Sequence, residues 1–112
     1  MTIYNKSVAK CFANYSSQTN SFRDSLGFSS MTDDGTGRHR LNFATSFGDK
    51  SWCAVASTEK NDGNDDHNQL CTIGCTANNR RIANTYVPIT NGRSRHSGHA
   101  DSAYAFVIVF SN

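Results

Sequence analysis

Short runs of alternating apolar and polar residues recur along the chain and predict β-strands. In the run 38–45, His39, Leu41 and Phe43 share one parity and the alternate positions are polar, which indicates a strand with one dry and one wet face. Similar runs predict strands at 6–15, 21–31, 52–58, 69–75, 80–90 and 102–110. The stretch 33–37 contains two aspartates and two glycines, and it predicts a tight hairpin turn between the second and third strands.

Two of the predicted strands are apolar on both faces. The run 52–58 is expected to be buried on both sides or nearly so. The last run has alanine and valine at one parity and large side chains at the other, so neither of its faces suits water. We therefore expect one face to pack internally and the other to meet a copy of the same chain. The predicted subunit contacts are Tyr104, Phe106, Ile108 and Phe110.

The amino-acid composition also predicts an all-β fold. The 112 residues include three leucines and one glutamate against fourteen serines, ten threonines and twelve asparagines, which disfavour helices. The length fits a single domain spanning 1–112, and the strand spacing predicts a compact antiparallel β-sandwich of about seven strands. A net charge of +2 favours neither nucleic acid nor an anionic membrane as a partner. The N-terminus resembles no secretory signal, which predicts synthesis in the cytosol.

The four cysteines are predicted to be buried free thiols. Cys11 and Cys53 stand alone in apolar runs, where a small core side chain is the default. Cys71 and Cys75 would lie about 13 Å apart in an extended strand, too far for a disulfide or a shared metal ion. Free thiols are therefore favoured over a bridge, in keeping with assembly in the cytosol.

One stretch of the chain resembles a known family. It reads RDS at 23–25, then S-S-x-T-D-x-G-T-G at 29–37 and N-F-x-T at 42–45. These motifs resemble those of a small domain of bacteriophage virion proteins that is common at the ends of tail fibres and in cyanophages. The strand pattern is also loosely similar to that of the H-type lectins. Members of both groups are homotrimers, so the resemblance implies a homotrimeric virion protein. The matching words lie in a hairpin and identify a scaffold, not a catalytic site.

Candidate chemistry is sparse, and we expect neither enzymatic activity nor a cofactor. The nucleophile-elbow motif G-x-S-x-G does not occur in the sequence. The acidic loop 59–68 departs from the order of a calcium-binding EF-hand, although an irregular calcium site stays open as an alternative. His96, His99 and Asp101 lie within six residues and resemble metal ligands, but neighbouring arginines oppose a dication. A solvated or subunit-contact loop is the favoured interpretation, and no metal site is predicted.

Basic clusters mark a second candidate region. They could bind phosphates or an acidic surface, or pair with aspartates across a subunit boundary, and the sequence leaves these two interpretations about even. Tyr15 and Tyr86 could stack on a sugar, whereas Trp52 is predicted to lie in the core. The candidate partner or ligand residues are Arg80, Arg81, Arg93, Arg95, His96, His99 and Asp101.

Two functions follow from the resemblance and the pattern. The first is a non-enzymatic virion structural protein, assembled in the host cytoplasm, that decorates or cements the capsid as a surface-exposed homotrimer. Entry into the first strand soon after Met1, without a coiled-coil or β-helical shaft, favours this function. The alternative is a receptor-binding tail-fibre tip that recognises host-surface glycans through its polar loops. The expected partners are therefore further copies of the chain, phage capsid or tail proteins and, in the alternative, a glycan.

Overall fold

A computed structural model describes residues 9–48, 52–59, 69–73, 83, 85–93, 101–102 and 104–111. These ranges contain eight β-strands and no helix. The strands are β1 (Ala9–Ser16), β2 (Ser21–Leu26), β3 (Phe28–Gly35), β4 (Arg38–Phe43), β5 (Cys53–Thr58), β6 (Gln69–Ile73), β7 (Tyr86–Arg93) and β8 (Ala105–Phe110).

The strands form two antiparallel sheets of four. The first sheet has the order β2-β1-β8-β5, and the second has the order β3-β4-β7-β6. Within the first sheet, Phe12 lies opposite both Leu26 of β2 and Ile108 of β8. The prediction of an all-β chain with antiparallel strands in two sheets is confirmed, and one of the predicted runs forms two strands.

The extra strand arises at Gly27, where the predicted strand 21–31 divides into β2 and β3. Gly27 has a φ of 81°. This left-handed conformation is unfavourable for residues that have a Cβ atom and therefore favours glycine. Its carbonyl oxygen accepts a hydrogen bond of 2.9 Å from the amide of Ala44 and a weak one of 3.7 Å from the thiol of Cys11. The reversal of backbone conformation transfers the chain from the edge of the first sheet to the edge of the second.

The predicted hairpin lies between β3 and β4 and is tighter than the five residues expected. Only Thr36 and Gly37 separate the two strands, because β3 continues to Gly35 through a shift in register. Gly35 and Gly37 both have positive φ, and the Asp33 carboxylate accepts a 2.8 Å hydrogen bond from the Gly35 amide. The aspartate and the glycines therefore act as their residue types predict.

The core lies between the two sheets. Inward residues of β1 and β8 pack against those of β4 and β7, with His39 at 1% exposure and Tyr15 at 0%. The His39 Nε2 and the Tyr15 hydroxyl form a 3.0 Å hydrogen bond across the interior, so a polar link joins the two sheets. Trp52 is buried as predicted, and its indole N–H donates to the Ala83 carbonyl at 2.7 Å.

Three sequence predictions are wrong. The run 52–58 is not buried on both faces, because Cys53, Val55 and Ser57 point away from the core. Cys53 is consequently an exposed thiol, while Cys11 is buried as expected. The strand predicted at 80–90 begins at Tyr86 among the described residues and runs on to Arg93, beyond its predicted end.

Replacing Gly27 with alanine is expected to destabilise the fold by about 2 kcal/mol or more. An added Cβ would lie 2.7 Å from the Cys11 sulfur and 3.0 Å from the Lys10 carbonyl oxygen, in a backbone conformation that is already strained for alanine. Urea denaturation measures the loss. Gly48→Ala is the matched control, because nothing lies within 4 Å of its Cβ position, and an equal loss in both variants would contradict the role of Gly27.

Candidate assembly surface

The outer face of the first sheet carries a row of apolar side chains that crosses all four strands. Residues directly opposite in an antiparallel sheet point to the same side. Leu26 pairs with Phe12, Phe12 with Ile108, and Ile108 with Val55. Their side chains are 57%, 37%, 42% and 67% exposed in the order Leu26, Phe12, Ile108 and Val55. The register therefore builds one continuous apolar band, here called the apolar row.

The last strand adds apolar surface on both sides of this row. Phe106 is 41% exposed and lies between Asn14 and Ser57. Phe110 is half-buried and pairs with Cys53 at the opposite end of the strand. The alternate residues Ala105, Val107 and Val109 are buried in the core. The structure confirms the prediction that β8 has one internal face and one outward apolar face.

Charged side chains occupy one end of this face. The guanidinium carbon of Arg23, on the edge strand β2, lies 4.0 Å from the centre of the Tyr104 ring. Glu59 follows the other edge strand, β5, and its amide donates to the Tyr104 carbonyl at 2.9 Å. Glu59, Tyr104 and Phe106 line a cleft of about 410 Å³. This end, defined by Arg23, Tyr104 and Glu59, is the charged end, and Cys53 and Phe110 mark the apolar end.

The outer face of the second sheet has the opposite character. The Arg40 guanidinium donates to both carboxylate oxygens of Asp34 at 2.9 and 3.0 Å and lies 5.2 Å from the ring centre of Tyr86. The side-chain amide of Asn42 donates to the hydroxyl oxygens of Ser30 and Thr32, each at 3.0 Å. These polar groups are compatible with water. Only the first sheet therefore presents a broad apolar face among the described residues.

The size of the apolar face bears on its role. Four strands about 4.8 Å apart and six residues long make a surface of roughly 19 by 20 Å, or about 400 Å². Asn14, Asp24 and Ser57 also lie on this face, so its apolar part is smaller than the whole. An apolar patch of a few hundred Å² lies within the range of the largest patches on monomeric proteins, which are often functional. A standard interface buries about 800 Å² per partner, so the face is large enough to form the centre of a protein contact with a polar rim.

The sequence predicts the part of this surface that the last strand contributes. Tyr104, Phe106, Ile108 and Phe110 all lie on the outward side of β8 as expected. Leu26, Phe12 and Val55 were not assigned to a surface, although each shares its parity with polar neighbours such as Asp24, Asn14 and Ser57. These polar residues of the same parity are the signal that the sequence offers, because a fully buried strand face would not carry them.

The second group of candidate residues is placed only in part. Arg80, Arg81, Arg95, His96 and His99 lie outside the described residues, and Arg93 is the last residue of β7. Asp101 is partly buried, and its carboxylate accepts a 2.7 Å hydrogen bond from the Gly37 amide. This contact ties the residue to the β3–β4 turn. The structure thus gives Asp101 a structural contact, and the basic clusters, apart from Arg93, lie outside the described residues.

Comparisons with known protein families, with curated proteins and with solved structures found no match to this chain. The part of the chain that the structure describes holds no helix long and apolar enough to cross a membrane. Within the same ranges, no three His, Cys, Asp or Glu side chains are grouped so that they could hold a metal ion. The apolar face is therefore the feature of the described surface that most needs an explanation.

Cys11 and Cys53 differ in environment and should differ in reactivity. Burial raises the pKa of the Cys11 thiol, which leaves less of the reactive thiolate at pH 8. Cys53 is exposed on the apolar face. In dilute native protein, iodoacetamide should modify Cys53 about tenfold faster than Cys11 or more, as followed by peptide mass spectrometry.

Denaturation in urea provides the control for this difference, because both thiols are then open to solvent and should react at similar rates. Equal rates in the native protein would contradict the burial of Cys11 between the sheets.

Proposed function

We propose that this chain is a non-enzymatic virion structural protein that decorates or cements a bacteriophage capsid as a surface-exposed homotrimer. The observation that carries the assembly part of the proposal is the apolar row, which places four exposed apolar side chains side by side on one sheet. The phage part rests on the resemblance of the motifs at 23–25, 29–37 and 42–45 to a small domain of bacteriophage virion proteins.

The contrast between the two outer faces supports an assembly role. Leaving the apolar row and Phe106 in water is unfavourable at roughly 25 cal/mol per Å² of apolar area, so covering them by like copies stabilises an oligomer. The polar face of the second sheet, with Arg40 paired to Asp34, would then point outward. A closed oligomer that hides its apolar faces and presents polar ones suits repeated positions on a shell, where avidity adds the contacts.

The alternative function is a receptor-binding tip of a tail fibre that recognises host-surface glycans. One observation favours it: Tyr104, Phe106 and Glu59 border a cleft of about 410 Å³. Aromatic side chains beside a carboxylate offer a sugar both apolar contact and hydrogen bonds. The same cleft lies next to the apolar row, however, so in an oligomer it would border the subunit contact.

Antibody labelling of purified particles of a phage whose genome encodes this chain tests the proposal. Electron microscopy should show label over the whole head, and the isolated protein should sediment at three times the 12.3 kDa protomer mass. Label confined to the tail tip, together with binding on a glycan array, would replace the capsid proposal with the alternative. Particles free of label would contradict both functions.

A further inference from the structure

The arrangement of the apolar row and the charged end restricts how two copies can meet. A copy is the expected occupant because the row has apolar residues at both of its ends, Leu26 on one edge strand and Val55 on the other. A surface of this kind can pack against its own opposite half. The charged groups agree with this occupant, since Arg23 and Asp24 belong to the β2 edge and Glu59 follows the β5 edge, all at the same end of the face.

We propose that copies associate about a rotation axis parallel to the strands, so that the β2 edge of one protomer meets the β5 edge of its neighbour. This inference rests on the proposed self-association and adds its geometry. Such a rotation keeps each residue at its own height along the axis. Leu26 then packs against Val55 of the neighbouring copy, and Phe12 and Ile108 point toward the axis. The apolar row closes into a continuous apolar belt.

The charged end selects this direction over the reversed one. With a parallel axis, the charged end of one copy lies at the same height as the charged end of the next, so Glu59 meets the edge strand that carries Arg23 and Asp24, and charged groups face charged groups. An axis perpendicular to the strands would instead place Arg23 and Glu59 over Cys53 and Phe110 of the next copy. That arrangement would bury charges against apolar side chains without a partner, which is strongly unfavourable.

The same geometry places the cleft lined by Glu59, Tyr104 and Phe106 at the contact between copies. It is bordered by Tyr104 and Phe106 at the β5 side of the face. A parallel axis brings the β2 edge of the neighbour alongside it, and with that edge its Arg23 and Asp24. Each cleft is therefore covered by the partner copy, whose charged edge borders Glu59.

A charge pair placed on the two ends of the apolar row tests the axis direction. Leu26 and Val55 lie three strand spacings apart, about 14 Å, so charges at these positions cannot pair directly within one protomer. Leu26→Glu and Val55→Lys, each alone, should weaken self-association by about tenfold or more, because each puts a charge against an apolar neighbour. The double variant should recover to within about threefold of the wild type, because the introduced carboxylate then meets the introduced ammonium group of the next copy.

Analytical ultracentrifugation of the full chain gives the association constants, and circular dichroism verifies that each variant is folded. Both positions are exposed, so the fold should tolerate the changes. Thr36→Glu, on the exposed β3–β4 turn of the second sheet, is the matched control and should leave association unchanged.

The outcomes separate this inference from the proposed function. A wild-type protein that remains monomeric at high micromolar concentration overturns both. An oligomeric wild type whose double variant associates no better than either single variant overturns the parallel axis alone, since the two introduced charges then do not meet across the contact. Recovery in the double variant supports the parallel axis.

Discussion

The two-sheet architecture depends on the left-handed backbone at Gly27. Without that conformation the run 21–31 would continue as one strand, and the polypeptide would have no short route from β2 in the first sheet to β3 in the second. The close approach of the Cys11 sulfur and the Lys10 carbonyl explains why a hydrogen atom is the only side chain that fits. Since β2 and β3 are edge strands of different sheets, this single residue fixes how the sheets are joined and therefore which faces enclose the core.

The interior and the exterior of the molecule follow different rules. Inside, Tyr15 of the first sheet and His39 of the second form a hydrogen bond across the core, so the sheets are joined by a directional contact as well as by packing. Outside, Arg40 and Asn42 of the second sheet form hydrogen bonds with polar side chains of β3, while the first sheet aligns four apolar side chains in a row. This imbalance is why self-association is the best explanation of the surface.

Sequence patterns succeeded where one strand has one consistent periodicity. The alternation of His39, Leu41 and Phe43 with polar residues matches the burial of β4 residue by residue, and the two parities of β8 match its inner and outer sides. They failed where the backbone interrupts the period. A register shift beside Asn14 leaves Arg23 unpaired, so Phe22 points inward although Leu26, of the same parity, points outward. Periodicity cannot foresee such an insertion, because it is set by pairing with a neighbouring strand.

The sequence by itself determined the class of fold, the β3–β4 turn and the apolar character of the closing strand, since these depend on residue type and local spacing. Only the tertiary structure decided that Phe12, Leu26 and Val55 join Ile108 in one row, and that Arg23 reaches the ring of Tyr104. The physical reason is that strand order and register bring together residues distant in the chain, and no local pattern encodes which strands become neighbours.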